Sequence, residues 1–238
     1  MNEIENILKR VRDTKALEFG VGAMKKIPAM FDSLFPGKTA VVVADKITYE
    51  IAGKTVHGYL EDAGINTDQP FVFTDPGLYA EWSYLDQLES YLEERDVIAV
   101  AVGLGVINDL TKLASYHLGR RYIIVGTGAS MDGYTSYGAS VTYHGNKQTF
   151  DCPAPLGMVM DPVVAAKAPA GITASGYGDL IAKIPSGADW MIADAVGSES
   201  IDPFAFSLVQ KNLRDALSDP DAVAAGDVTA VGKLAYEL

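Results

Sequence analysis

From Val97 to Val102 every side chain is apolar: Val-Ile-Ala-Val-Ala-Val. A strand with one wet face alternates polar and apolar residues. A strand with no polar position must be covered on both faces, as in a parallel sheet flanked by crossover helices. The neighbouring sequence agrees. Thr39–Ala44 predicts a strand, Ile47–Ala63 a helix stopped by Gly64, and Phe71–Phe73 a second strand. Tyr79–Glu94 predicts an acidic, aromatic-bearing helix, Ile107–Leu118 a helix closed by Gly119, and Tyr122–Val125 and Leu156–Met160 two further strands. Ser140–Asp151 alternates about a His144-Gly-Asn-Lys147 turn and reads as an inserted β-hairpin. After Asp161-Pro162 only helical signals remain: Pro162–Lys167, Ala174–Ile184, Ala188–Val196 and Pro203–Leu217, with Pro185 expected to end or kink its helix. The expected architecture is α/β, with a parallel-sheet domain over 1–161 and an all-helical region over 162–238.

The chain has 238 residues, 48% of them hydrophobic, so it can bury a sizeable core. Its formal net charge of −12 excludes nucleic-acid binding through a basic face. No apolar run is long enough to span a bilayer, and the N-terminal MNEIENILKRVRD has no apolar core of a secretory signal. The single cysteine, Cys152, excludes an intrachain disulfide and a zinc ribbon, and the expected compartment is the reducing cytoplasm.

Three segments carry chemistry. Gly126–Ser136, GTGASMDGYTS, follows the apolar RYIIV and places two hydroxyls, Thr127 and Ser130, and then a carboxylate, Asp132, on a glycine turn at a strand end. Val102–Asp109, VGLGVIND, is a second glycine turn that opens a helix. Its free N–H groups and positive dipole end can hold a pyrophosphate, although the same pattern fits a plain strand-to-helix turn. In Ala174–Lys183, ASGYGDLIAK, Asp179 is either a ligand for metal or substrate or the i, i+4 partner of Lys183. Asp45, at the end of the first strand, can accept hydrogen bonds from a ribose or cap the next helix. His57, His117 and His144 have no ligand spacing to one another and read as structural or solvated.

Taken together, GVINDLTKLASYHLG, GTGASMDGYTSYGAS, CPAPLGMVMD and SGYGDLIAK followed by GADWMIADAVG resemble the sn-glycerol-1-phosphate dehydrogenase family. That family lies within the iron-type alcohol dehydrogenases and dehydroquinate synthases, and the resemblance runs from about Asp45 to the C-terminus. It implies a nucleotide-binding α/β domain and a helical domain with the active site between them. Gly105, Val106, Ile107, Asn108 and Asp109 would then wrap the pyrophosphate of NAD or NADP. Thr127, Gly128, Ala129, Ser130 and Ser136 would contact the dinucleotide, and Asp45 would lie near its adenosine end. Asp132 would bind substrate, and Asp179 would bind both substrate and a divalent metal, zinc or nickel. The implied reaction is reduction of dihydroxyacetone phosphate to sn-glycerol 1-phosphate, with the metal polarising the ketone and the nicotinamide carrying hydride.

The sequence departs from the family at Leu104, where a small residue is usual, at Val106, where a hydroxyl is frequent, and at Gly126, where many members have proline. The family completes its metal site with two downstream histidines, yet no histidine follows His144, so the metal site is expected to be incomplete. Val228–Leu238 lacks a helix stop, which suggests a shortened or split polypeptide. Two alternatives stand beside the dehydrogenase: a nucleotide-binding polypeptide without catalysis, and a dehydroquinate synthase-like lyase or polyol dehydrogenase, against which ASMDG and GYGDLIAK argue. Exposed apolar surface on an incomplete helical domain predicts association with further copies.

Overall fold

The computed structural model describes residues 3–238. Its main sheet contains β1 (Ala16–Phe19), β2 (Thr39–Asp45), β3 (Phe71–Phe73), β4 (Val97–Gly103), β5 (Ile123–Gly126) and, after an inserted hairpin of β6 (Ala139–Tyr143) and β7 (Asn146–Phe150), β8 (Gly157–Met160). All pairings in the main sheet are parallel, in the order β1-β8-β5-β4-β2-β3. Every residue of β4 is buried, as its uninterrupted apolar run requires, and Ala40–Ala44 of β2 are buried beside it. Helices supply the cover. The Trp82–Glu93 helix buries Leu85, Leu88 and Leu92, one apolar stripe at helical spacing, and each such leucine contributes about 1.5–3 kcal/mol relative to exposure.

The strand order fixes where a ligand can sit. From β2 the chain moves outward to β3, then returns to place β4 on the other side of β2. That reversal puts the topological switch point between β2 and β4, and the carboxyl ends of the strands there are where open parallel sheets bind ligands.

Several elements differ from the sequence expectation. β1 was not expected. It is a short, half-buried edge strand whose ladder bonds come from β8, a partner more than a hundred residues away. The helix expected over Ile47–Ala63 is Lys46–Thr48, a π-helical turn Tyr49–Gly53, and Lys54–Asp62. The helices expected over Ala174–Ile184 and Ala188–Val196 form one helix, Ala170–Ala195, with Pro185 inside it. Pro185 and Ile181 are both exposed, so water can serve the Ile181 carbonyl that lost its donor. Gln210 Nε2 also donates to the nearby Lys183 carbonyl at 2.9 Å. The single helix expected over Pro203–Leu217 is two, Pro203–Gln210 and Leu213–Ala216.

The hairpin turns on His144 and Gly145, both with positive φ (50° and 77°), the geometry that matches the twist of paired antiparallel strands. Trp82 packs on Tyr143 and Phe150 of the hairpin, with ring centroids 4.5 and 5.2 Å apart.

By internal contacts the chain divides into two compact units. One holds the described residues through Thr127 together with Gly133–Val164; the other holds Gly128–Asp132 and Ala165–Leu238. Among the described residues no helix is long and apolar enough to cross a membrane.

Candidate functional site

In the sheet unit the two glycine turns lie side by side, because Gly103 at the end of β4 pairs with Gly126 at the end of β5. Thr127, which is buried, donates its N–H to the Gly103 carbonyl at 3.2 Å. Close packing explains Gly103 in particular, because the Ile107 atoms it faces are near the backbone, whereas the methyl end of Met160 facing Gly126 can swing aside. A Cβ on Gly103 would stand 2.7 Å from the Ile107 side chain, and one on Gly126 would stand 2.5 Å from Met160 Cε. Leu104 is the N-cap of the Gly105–His117 helix. It has extended backbone (φ −99°, ψ −166°) and no side-chain cap. The N–H of Asn108 closes the first turn onto the Leu104 carbonyl at 3.0 Å. The preceding donors, on Gly105, Val106 and Ile107, are those a helix start leaves without an intrahelical acceptor. A helix N-terminus without a cap, at the switch point of a parallel sheet, attracts anions by those donors and by its dipole.

Asp45 ends β2 at the same switch point. Its Oδ1 accepts from the N–H groups of Ile47 (2.8 Å) and Thr48 (2.9 Å), and Thr48 Oγ1 accepts from the Asp45 N–H, a full capping box. The cap thus occupies one carboxylate oxygen.

The next turn of the Gly105–His117 helix faces inward. Asn108 is fully buried; its Nδ2 donates to the Gly133 carbonyl at 3.2 Å and its Oδ1 accepts from Tyr122 Oη at 2.8 Å. Those bonds use the side chain internally. Asp109 accepts from the Ser140 N–H at 3.4 Å, and burial pushes its carboxyl up to about 6 despite the opposing charge of Lys112. Lys112, only 1% exposed, was not singled out from the sequence. Its ammonium donates to three carbonyls, Gly133 (3.2 Å), Ser136 (2.9 Å) and Gly138 (3.0 Å), and burial lowers its pKa. Lys112 thereby pins the segment that follows Asp132. Its spacing from Asn108, i and i+4 on one helix face, was the available signal. Ser136 is exposed, and its Oγ donates to the Gly133 carbonyl at 3.0 Å.

In the second unit, Gly128–Asp132 packs against the Ala170–Ala195 helix. A Cβ on Gly176 would stand 2.2 Å from the Ala129 carbonyl oxygen, so only glycine lets the two backbones approach. That approach puts the Asp132 N–H 3.0 Å from Asp179 Oδ2. Lys183 Nζ pairs with Asp132 Oδ2, not with Asp179, so the i, i+4 pair open from the sequence does not form. The Ser130 hydroxyl is buried and has no hydrogen-bond partner, an arrangement that costs free energy unless something supplies one. Asp132 and Asp179 are therefore adjacent. Among the described residues, however, no group of three or more His, Cys, Asp or Glu side chains could hold a metal.

Residues 18–169 match the family model described as iron-containing alcohol dehydrogenase. The chain belongs to the iron-containing alcohol dehydrogenase family. Within that family it is 34% identical over 187 residues to the glycerol-1-phosphate dehydrogenase [NAD(P)+] of Halalkalibacterium halodurans, covering 77% of this chain and 47% of the relative. It is 31% identical over 204 residues to the enzyme of the same name from Methanosarcina mazei, covering 86% and 56%. The chain spans about half the length of the curated relatives it matches. The fold resembles that of a glycerol dehydrogenase from Schizosaccharomyces pombe, with a TM-score of 0.70 and 19% identity over 96% of this chain and 62% of that one. It also resembles an alcohol dehydrogenase from Oenococcus oeni, with a TM-score of 0.73 and 20% identity over 94% and 63%.

Proposed function

We propose that this member of the iron-containing alcohol dehydrogenase family serves the NAD(P)-dependent reduction of dihydroxyacetone phosphate to sn-glycerol 1-phosphate in the cytoplasm, with the sheet unit as the nucleotide-binding domain. The main support is its similarity to enzymes named glycerol-1-phosphate dehydrogenase, joined to an uncapped helix N-terminus at the switch point of the sheet. The N–H groups of Gly105, Val106 and Ile107 would take the pyrophosphate, and the free oxygen of Asp45 a ribose hydroxyl. In the sheet unit Thr127 offers a hydroxyl; in the helical unit the orphaned Ser130 Oγ would gain a partner from a ligand. When bound, the nicotinamide supplies the hydride. In the helical unit, Asp132 and Asp179 would hold the substrate hydroxyl and carbonyl end.

The family name implies a metal, and Asp179 is the carboxylate this chain would offer it. The described donors do not make up a site. That same observation favours a second reading, a nucleotide-binding polypeptide without turnover of its own. One experiment separates the two. Purified chain is mixed with reduced nicotinamide cofactor and dihydroxyacetone phosphate, with zinc, nickel or iron added, and cofactor oxidation is followed. Metal-dependent oxidation supports the dehydrogenase. Cofactor binding without oxidation supports the second reading.

A further inference from the structure

We infer that Lys183 is a positioning residue that fixes the Asp132 carboxylate through the ion pair between them. The inference rests on the proposed substrate role of Asp132. Asp132 is held at two points: its N–H donates to Asp179 Oδ2 at 3.0 Å, and its Oδ2 takes the Lys183 ammonium. One contact sets the backbone and the other sets the side-chain rotamer. Without Lys183, the Asp132 side chain would lose the cation that sets its rotamer, while its N–H would stay on Asp179. The lysine is itself well placed for this work. Its side chain is 26% exposed, and it borders a cleft of about 460 Å³ that also includes Trp190, Phe206 and Gln210. Gln210 Nε2 holds its carbonyl at 2.9 Å. Gly187, one turn further on, is packed so closely that a Cβ would stand 2.4 Å from the same Gln210 nitrogen. Local helix geometry offers Asp179 as an i, i+4 partner, yet the ammonium reaches a residue 51 positions away, so the pair links loop to helix.

The test compares Lys183→Met, Lys183→Arg and Asp132→Asn with the parent chain by amide hydrogen exchange. Losing a charge-assisted contact should speed exchange of the peptide covering 128–132 by about tenfold in Lys183→Met. Asp132→Asn should do the same, Lys183→Arg should stay within about twofold of the parent, and a peptide covering 105–117 should not change. Where turnover of dihydroxyacetone phosphate is measurable, Lys183→Met should raise KM more than it lowers kcat, with Arg restoring KM. Exchange at 128–132 unchanged in Lys183→Met, or raised equally along all of 170–195, overturns the assignment. Lys183-dependent exchange in a parent chain that shows no turnover supports the positioning role and counts against the proposed reaction instead.

Discussion

Gly176 and Gly178 stand two residues apart in one helix, and alanine at each should move stability in opposite directions. At Gly176 the new Cβ would lie 2.2 Å from the Ala129 carbonyl oxygen and 2.8 Å from its carbon. Both atoms are backbone, so no rotamer change relieves the clash. Ordinary C···O contact needs about 3.3 Å, so the loop must retreat by about 1 Å. Overpacking of this kind costs about 1–3 kcal/mol, and a clash against backbone belongs at the upper end. Alanine returns about 1 kcal/mol of helix propensity, leaving Gly176→Ala about 2 kcal/mol less stable. Nothing lies within 4 Å of a Cβ on Gly178, so Gly178→Ala keeps only the propensity gain, about 1 kcal/mol. The two variants should differ by about 3 kcal/mol, which at a slope of about 1–3 kcal/mol per molar separates their urea midpoints by at least about 1 M. Far-UV circular dichroism during urea unfolding measures this. Coincident midpoints, or Gly178→Ala as the weaker variant, would refute the packing account of the glycine pair.

Three further outcomes follow from the sheet unit. Lys112→Met strands three carbonyls that now share one ammonium, and should cost about 3 kcal/mol or more in urea unfolding; a loss under about 1 kcal/mol would show that water replaces the ammonium. Asp109 has a folded pKa raised to about 6, so the fold favours its neutral form. Its contribution is full below about pH 4 and is lost as pH rises to about 6, so Asp109→Asn should gain up to about 3 kcal/mol over the parent at neutral pH and nothing at pH 3. A stability difference between the two that does not change with pH would contradict this. Leu104→Ser places a capping hydroxyl on backbone already extended, and should raise stability by about 1 kcal/mol while weakening binding of the reduced cofactor, measured by fluorescence titration. Tighter cofactor binding in that variant would argue against the helix start as the anion site.

The sheet was legible in the sequence because its central strands carry apolar residues at every position, a pattern that solvent would not tolerate. β1 was hidden because four half-buried residues hold no period of their own; what makes them a strand is the ladder from β8. Pro185 misled because the rule that proline breaks helices weighs most where the carbonyl that loses its donor is buried, and here Ile181 and Pro185 are exposed. At the site, the adjacency of Asp132 and Asp179 could be anticipated from motif resemblance. The partner of Lys183 could not, because local spacing names Asp179 while the tertiary path of the loop delivers Asp132. Lys112 was passed over because a lysine inside an apolar helix reads as surface until its three carbonyl acceptors are seen.

The helical unit takes five residues, Gly128–Asp132, out of the middle of the sheet unit's sequence. The chain therefore passes between the units three times, after Thr127, Asp132 and Val164. Neither unit can be cut out as one continuous piece. Expressing residues 165–238 alone would leave out the strip of backbone that Gly176 packs against and the Asp132 amide that donates to Asp179. Dissecting this protein by truncation would thus erase the pair of carboxylates it was meant to isolate. A circularly permuted or loop-grafted version that carries 128–132 along is the smallest portable form of that half.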